Sequence, residues 1–404
     1  MRKRIRILAV AVAATVALGI WPWRGVVSGF LGLSPVVGLS GALANRAVTG
    51  WTLLGVSVLI LAAFRRRWFC RTLCPVGFAT EGIGRWNPRA GRRFAKWPVL
   101  GPVLFGALLG SAVFGYPLFL WLDPLAIFNG FFSAWRLPLT GGAFALAAGL
   151  PLVLGFSYLY PRAWCQRICP LGGAQDIAAR ARRAWRRRAG ASAAEGGGVV
   201  LGRREFLGAA AGGAAALALG RRARGAVRPI RPPGAKPEEQ FAGLCARCGA
   251  CIQACPYGIL QPDLGAGGWA GLLAPVMDYS RAHCFEYCRE CTRVCPTGAI
   301  EPLALEAKRN RAVGLAEIDR GQCIAWAYGQ YCMVCREYCP YLAIDSVSRN
   351  GVECPVVTPE MCRGCGACQV KCPALPDKAI RVKGIPQRIA RPLPEAPASS
   401  SKPG

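Results

Sequence analysis

Cysteine is the residue type that dominates the chemistry of this chain of 404 residues. Most of its 21 cysteines fall into four runs, each of which closes on Cys-x-x-x-Cys-Pro. Soft thiolate sulfur at this density indicates metal or cluster binding. In chain order, the runs are Cys245, Cys248, Cys251 and Cys255; Cys284, Cys288, Cys291 and Cys295; Cys323, Cys332, Cys335 and Cys339; and Cys362, Cys365, Cys368 and Cys372.

The spacing within the runs indicates the kind of site. Runs one and four follow C-x2-C-x2-C-x3-C-P, which is the spacing of bacterial ferredoxins with [4Fe–4S] clusters. Three thiolates on a tight turn bind three irons of one cluster, and the fourth cysteine binds the neighbouring cluster. Disulfides are disfavoured because cysteines this close in sequence are too crowded to pair. An all-cysteine zinc site normally shows two C-x2-4-C pairs instead. We therefore predict four [4Fe–4S] clusters.

The runs are expected to exchange their fourth cysteines in pairs. Runs one and four are regular, whereas runs two and three depart from the pattern in their first gap, so we expect run one to pair with run four and run two with run three. The predicted sets are Cys245, Cys248 and Cys251 with Cys372; Cys362, Cys365 and Cys368 with Cys255; Cys284, Cys288 and Cys291 with Cys339; and Cys323, Cys332 and Cys335 with Cys295. Cys354 is left as an unligated thiol, and His283 is expected to be a surface or hydrogen-bonding residue.

The first half of the chain repeats a shorter cysteine motif. Cys70 and Cys74 precede Pro75, and Cys165 and Cys169 precede Pro170. These two pairs supply enough thiolates for one further [4Fe–4S] cluster at the membrane face. The alternative is two redox-inert or disulfide-forming pairs, which a reducing cytoplasm disfavours.

Composition excludes several other functions. The chain has a single histidine and no Cys-x-x-Cys-His motif, which excludes c-type haem and a bis-histidine haem in the membrane. No nucleophile–base constellation occurs beside the cysteine runs, so we expect electron transfer rather than hydrolysis or group transfer. Membrane topology explains most of the excess positive charge behind the net charge of +29, and nucleic acid is not an expected partner.

Apolar segments in the first half predict a membrane domain. Hydrophobic residues make up 53% of the chain, and the mean hydropathy is +0.30. A membrane helix needs roughly 20 residues, and the predicted spans are Ile7–Trp23, Val48–Phe64, Val99–Trp121 and Gly142–Tyr160. The stretch Val26–Ala44 contains Pro35 and is interpreted as an interfacial loop, with a further span as the alternative. Basic residues cluster in alternate loops, which predicts a cytoplasmic N-terminus.

An export signal follows the membrane half. The stretch Gly202–Leu207 matches a twin-arginine core with Arg203 and Arg204 as its arginine pair, and an ordinary further span is the alternative. Either interpretation places the cysteine runs outside the cytoplasm. Ala223-Arg224-Gly225 is a candidate cleavage site. The predicted domains are 1–188 (membrane), 189–227 (linker and signal anchor), 228–384 (polyferredoxin) and 385–404 (disordered tail).

These motifs resemble two families of the periplasmic nitrate reductase system. The first half is similar to NapH-type membrane iron–sulfur proteins in its four spans, its two C-x-x-x-C-P motifs and the element Trp121-Leu122-Asp123-Pro124. The second half, from about Arg203 to Lys383, resembles the NapG/MauM ferredoxin family. The matching features there are the twin-arginine segment, Arg231–Ala235, the Cys245 and Cys323 runs and Gly314–Ala316. The cytoplasmic ferredoxin tail usual in NapH-type proteins is replaced by the export signal.

The resemblance implies both a fold and a function. The fold is an α-helical membrane domain of four spans plus a signal-anchor helix, joined to an α+β ferredoxin-like domain with four [4Fe–4S] clusters. The protein would lie in the bacterial inner membrane with its ferredoxin domain in the periplasm. It would oxidise quinol from the quinone pool, as a quinol dehydrogenase component, and pass electrons to a periplasmic cytochrome or reductase such as nitrate reductase. Asp123 is the candidate proton acceptor for quinol, with a structural Asp–Pro turn as its alternative.

Two other functions remain open. The first is an electron donor for the maturation of a periplasmic metalloenzyme or quinoprotein, similar to MauM/MauN or NosR. The second is a passive electron carrier.

Overall fold

The computed structural model describes residues 2–21, 25–87, 98–190, 202–222 and 228–391. The chain forms two compact units, and their limits differ from the predicted domains. Unit 1 comprises Met1–Val227, Lys236–Pro275 and Glu290–Pro302, and unit 2 comprises Arg228–Ala235, Val276–Arg289 and Leu303–Gly404. Run one and the end of run two thus lie in the same unit as the apolar first half of the chain. Small and apolar side chains from these runs are part of the hydrophobic core of that unit.

Unit 1 is built almost entirely from helices. Its first part contains α1 (Arg2–Ala17), α2 (Val26–Gly32), α3 (Pro35–Asn45), α4 (Gly50–Phe64), α5 (Trp68–Thr72), α6 (Pro75–Gly84), α7 (Gly101–Val113), α8 (Pro124–Ala134), α9 (Gly141–Ala147), α10 (Gly149–Leu159), α11 (Pro170–Gly190) and α12 (Arg203–Arg222). Its second part contains α13 (Glu238–Leu244), α14 (Ala250–Ala254), β1 (Leu260–Pro262), α15 (Gly268–Gly271) and α16 (Glu290–Arg293).

The segment predicted as an interfacial loop is helical instead. Val26–Ala44 forms α2 and α3, which meet at an angle of 93°. Pro35 does not break this structure because it occupies the first turn of α3, where its missing N–H has no partner to lose. The prediction of a break in this segment is confirmed, whereas the prediction that it forms a loop is wrong.

Four helices of unit 1 start in the same way, with an extended residue followed by proline at the first helical position. The pairs are Ser34-Pro35, Cys74-Pro75, Asp123-Pro124 and Cys169-Pro170. Asp123 is fully buried and accepts hydrogen bonds from the backbone N–H groups of Leu125 and Ala126. It also accepts a hydrogen bond from the hydroxyl of Ser34. The buried Asp123 therefore has a structural role at the start of α8.

Glycines bring α7 and α12 into close contact. A Cβ atom at Gly110 would lie 2.1 Å from the carbonyl oxygen of Ala209, and one at Gly212 would lie 2.2 Å from that of Ala107. Gly106 and Gly208, each one helical turn before Gly110 and Gly212, lie in the same contact between the two helices. An ion pair between Arg180 and Glu205, at 2.9 Å, adds to the packing at the start of α12. This small-residue packing is typical of helices that associate in apolar surroundings.

None of the described helices alone is both long and apolar enough to cross a membrane, whereas the bent pairs α2–α3 and α9–α10 meet that requirement in length and composition. Arg203 and Arg204 lie exposed in the first turn of α12. Residues 191–201 of the linker, the candidate cleavage site and residues 392–404 of the tail lie outside the described residues.

Unit 2 carries two antiparallel strand pairs. Its elements are α17 (Leu305–Arg309), β3 (Arg311–Ile318), α18 (Ile324–Tyr328), α19 (Val334–Glu337), β4 (Ile344–Arg349), β5 (Val352–Val357), α20 (Ala367–Lys371) and β6 (Ile380–Ile389). A short strand, β2 (Pro275–Met277), lies where the chain passes from one unit to the other. β3 pairs with β6, and β4 pairs with β5. The predicted disordered tail is thus wrong at its start, because Ile385–Ile389 continue β6, where Arg311 lies opposite Ile389.

Candidate iron–sulfur sites

Site I lies in unit 1 and contains Cys245, Cys248, Cys251 and Cys295, which line one pocket. Cys245 follows α13, Cys251 lies on α14, and Cys295 follows α16. The backbone N–H of Ile300 donates a hydrogen bond to the Sγ of Cys295 at 3.4 Å. The pocket brings the first three cysteines of run one together with the fourth cysteine of run two.

Two residues hold the cysteine turn of site I in shape. Gly249 has a φ of +72°, and a Cβ atom there would lie 2.6 Å from the Cβ of Ser133 on α8. Only glycine fits both the left-handed backbone and this close approach. The guanidinium of Arg247 donates to the carbonyl oxygens of Leu272 and Ala270, both at 2.8 Å. These contacts fix the conformation of the turn.

Site II lies in unit 2 and contains Cys323, Cys332, Cys335 and Cys372, which line a pocket with apolar walls. Cys323 precedes α18, Cys335 lies on α19, and Cys372 follows α20. Burial raises the pKa of Cys335 to about 12, and its three neighbouring thiols add to the shift. This pocket joins the first three cysteines of run three with the fourth cysteine of run four.

Site III, also in unit 2, contains Cys339, Cys362, Cys365 and Cys368. Burial raises the pKa of Cys365 to about 12, and the neighbouring thiols of Cys339 and Cys362 add to the shift. Burial likewise raises the pKa of Cys368, where Cys362, Cys365 and Cys339 contribute. The N–H groups of Ala343 and Ala316 point at the sulfurs of Cys339 and Cys362. A cluster that binds these thiols must displace their protons.

These three sites correct the predicted pairing of the runs. Cys295 completes the set of run one, Cys372 completes that of run three, and Cys339 completes that of run four. Partners are consecutive runs because α14 packs against α16 and α19 packs against α20. Regular spacing was the wrong criterion, since it reflects the shape of each turn and not its partner. The remaining run members, Cys255, Cys284, Cys288 and Cys291, stay a sequence-based prediction.

Site IV lies in unit 1 and brings together Cys70, Cys74, Cys165 and Cys169. Burial raises the pKa of Cys169 well above its ordinary value, and the thiols of Cys70, Cys165 and Cys74 add to the shift. Cys74 caps α6, with its sulfur accepting from the N–H of Gly77 at 3.4 Å. A single π-helical turn, Trp164–Ile168, precedes Cys169. The two repeats of the sequence thus meet at one four-cysteine site.

The repeats contact each other crosswise at site IV. Gln175, six residues after Cys169, donates to the sulfur of Cys70 at 3.1 Å. Thr80, six residues after Cys74, lies 3.3 Å from the sulfur of Cys165. Each repeat therefore supplies a polar side chain to the first cysteine of the other repeat.

The region just before site IV also repeats. Arg67 and Arg162, each three residues before the first cysteine of a repeat, both adopt the left-handed backbone conformation. Arg67 forms a bidentate ion pair with Asp176 of the other repeat, with Nη2 at 2.6 Å. The cysteine spacing alone does not predict Thr80, Gln175 or Arg67, although an alignment of the two repeats by their cysteines points to all three.

The structure shows no disulfide among the 21 cysteines, and the described residues contain no group of three ligand side chains close enough for a single metal ion. A [4Fe–4S] cluster has different requirements, because each thiolate binds a different iron and the sulfurs surround the cluster. Buried thiols and N–H groups aimed at sulfur suit such a cluster. Cys354 lies outside these sites, buried in β5, and its thiol donates to the carbonyl of Ala325. His283 is half-buried and packs on Phe285.

Comparisons with known proteins support iron–sulfur binding by this chain. A 4Fe-4S dicluster domain matches residues 244–300, and a 4Fe-4S binding domain matches residues 48–93 and 142–188. The methylamine utilization ferredoxin-type protein MauM of Paracoccus denitrificans is 35% identical over 167 residues, which cover 39% of this chain and 71% of that protein. This chain belongs to the MauM and NapG ferredoxin-type family.

Other relatives support the same family. The ferredoxin-type protein NapG of Escherichia coli is 36% identical over 191 residues, covering 43% of this chain and 79% of NapG. The ferredoxin-type protein NapF of Escherichia coli is 33% identical over 153 residues, covering 38% of this chain and 85% of NapF. No solved structure gives a significant match. As a member of the MauM and NapG family, the chain is an iron–sulfur electron-transfer protein, and both cysteine motifs of site IV lie within the matched 4Fe-4S binding domain.

Proposed function

We propose that this protein is a membrane-anchored quinol dehydrogenase component. It takes electrons from quinol and passes them through four [4Fe–4S] clusters outside the cytoplasm to an acceptor such as nitrate reductase. A fifth cluster is held at site IV by Cys70, Cys74, Cys165 and Cys169. The membrane anchoring, the twin-arginine export and the NapH-type character of the first half are parts of the same proposal.

The proposal rests mainly on the contact between site I and the apolar helices of the first half of the chain. Asn129 of α8 donates to the carbonyl oxygen of Cys248 at 2.7 Å. Ser28 of α2 donates to the carbonyl oxygen of Val294, and Asn45 of α3 donates to that of Thr297. A lipid-soluble donor that reaches these helices is therefore already beside a cluster site.

The charge pattern supports the proposed topology. Arg4 and Arg6 lie near the start of the chain, and a second basic cluster lies on α11. Between the predicted spans, the loops on the other side carry few basic residues, as the positive-inside rule requires. On this topology the cysteine runs, which follow α12 in the chain, lie outside the cytoplasm.

The proposal is tested by anaerobic EPR on the detergent-extracted full chain, before and after a menaquinol analogue is added. We expect signals of reduced [4Fe–4S] clusters with the quinol. Clusters that dithionite reduces and quinol does not would contradict quinol oxidation and leave the carrier or maturation function. Asn129→Leu is expected to slow reduction by quinol while dithionite still reduces every cluster.

A second candidate is electron donation during maturation of a partner enzyme. It is favoured by the similarity to MauM, a methylamine utilization protein, which is about as strong as the similarity to NapG. The two candidate functions differ in the state of the partner enzyme that is expected in a deletion strain. A partner enzyme that lacks its cofactor would indicate maturation, whereas a complete enzyme without electron supply would indicate quinol oxidation.

A further inference from the structure

A buried arginine lies between two of the cysteines of site III in unit 2. Arg363 directly follows Cys362 and comes two residues before Cys365 in run four. It is only 3% exposed. An arginine side chain keeps its positive charge inside a protein, and a charged residue is almost never fully buried unless it is paired. The burial of this charge therefore requires a partner.

The hydrogen bonds of the Arg363 guanidinium go to backbone carbonyl groups. Its Nε donates to the carbonyl oxygen of Arg309, at the end of α17, at 3.1 Å. Its two Nη atoms donate to the carbonyl oxygens of Met361 and Arg391. These neutral acceptors satisfy the N–H groups and leave the positive charge without a counter-charge.

The charged groups around Arg363 include the thiols of site III. Burial lowers the pKa of Arg363, and the charge of Arg388 acts in the same direction, whereas Tyr341, Cys362 and Cys339 act against it. Within the described part of the chain, no carboxylate forms an ion pair with Arg363. The negative charge that faces this guanidinium is therefore that of the site III thiolates and of the cluster they bind.

The ring of Tyr341 fixes the position of the guanidinium. The central carbon of the Arg363 guanidinium lies 5.0 Å from the centroid of this ring, and Tyr341 is 2% exposed. A cation over the face of an aromatic ring is attracted by the ring electrons. The carboxylate in this neighbourhood is that of Glu286, which is half-buried. The ring and the three carbonyl groups together hold one positive charge at a defined place beside site III.

We propose that Arg363 raises the reduction potential of the cluster at site III. Reduction adds one negative charge to a [4Fe–4S] cluster, and the net charge around a cluster is one of the factors that set its potential. A buried cation acts strongly because little water or salt screens it. Arg363 therefore lowers the free energy of an electron at site III. The inference rests on the iron–sulfur character of the chain and holds whatever donor reduces the clusters.

Potentiometric EPR on the detergent-extracted full chain tests the inference with two substitutions at one position. Arg363→Gln removes the charge, and Arg363→Lys keeps it while changing the hydrogen bonds. We expect one titrating cluster to move to lower potential in Arg363→Gln while the other clusters stay unchanged. Arg363→Lys should titrate close to the wild type. Iron content establishes which variants keep all clusters.

The matched control is Arg336→Gln. Arg336 also lies between two cluster cysteines, Cys335 and Cys339, but it is exposed and donates to the hydroxyl of Ser346. Because solvent screens an exposed charge, its removal should shift the potentials much less than Arg363→Gln does. Equal shifts in both variants would overturn the inference, since the buried charge would then have no special effect.

Arg388→Glu tests the same charge without changing Arg363. Arg388 on β6 lies close enough to act on Arg363, so a carboxylate there should partly neutralise the guanidinium and lower the same potential. Wild-type potentials in intact Arg363→Gln and Arg388→Glu would overturn the inference. Loss of the cluster in both Arg363→Gln and Arg363→Lys would also overturn it, because Arg363 would then only build the turn. If Arg363→Gln alone loses the cluster, the potential of Arg388→Glu decides.

Discussion

Gln175 donates its amide hydrogen to the sulfur of Cys70 at 3.1 Å and so joins the two sequence repeats at site IV. A hydrogen bond to a cluster sulfur stabilises the reduced state and raises the midpoint potential. We expect Gln175→Met to lower the potential of the cluster proposed at site IV by on the order of tens of millivolts. Potentiometric EPR measures this. The matched control is Gln166→Met, an exposed residue between Cys165 and Cys169, and equal potentials in both variants would contradict the assignment.

The corrected pairing of the runs predicts which cysteine completes which cluster. Cys372→Ser should remove the site II cluster and lower the iron content by about four atoms per chain. Cys354→Ser changes a buried thiol outside the sites and should keep the full iron content. Metal analysis and EPR of the two variants decide the matter. Loss of the run-one cluster in Cys372→Ser would restore the pairing of run one with run four.

The turn of site I tests how strongly α8 shapes a cluster site. Gly249→Ala adds about 1 to 2 kcal/mol of backbone strain and places a methyl group against Ser133. Gly258→Ala introduces similar backbone strain at a φ of +65°, but its added methyl group has no neighbouring atom within 4 Å. We expect only Gly249→Ala to lose the site I cluster, as monitored by EPR and thermal unfolding. Ser133→Gly should restore part of the loss, and a lack of any restoration would argue against the contact.

The contact of α7 with α12 predicts that substitutions at two glycines differ clearly in their effect on stability. Gly212→Leu would drive a side chain into the backbone of Ala107, and overpacking of this kind costs about 1 to 3 kcal/mol. Gly155→Leu on α10 has open space around it and should be tolerated. Thermal unfolding in detergent measures both variants. Equal melting temperatures would mean that α12 does not pack on α7 in solution.

The cysteines show how far sequence alone predicts this protein. Their spacing specifies thiolate turns, because the turn geometry is local and depends on residues such as Gly249. The partner of each turn depends on contacts between distant segments, which is why Cys295 and Cys372 were assigned to the wrong sets. The loop predicted around Pro35 is wrong for a related reason. The effect of a proline depends on its position in the helix, which the sequence alone does not show.

The interlocked glycines of α7 and α12 also bear on how the protein is made. On the proposed topology, α7 enters the bilayer during synthesis, whereas α12 arrives later with an exported, already folded passenger. Until then, the groove at Gly106 and Gly110 has no protein neighbour, and lipid chains must fill it. Biogenesis would therefore end with the displacement of lipid by a helix, and failed export would leave the bundle open at that groove.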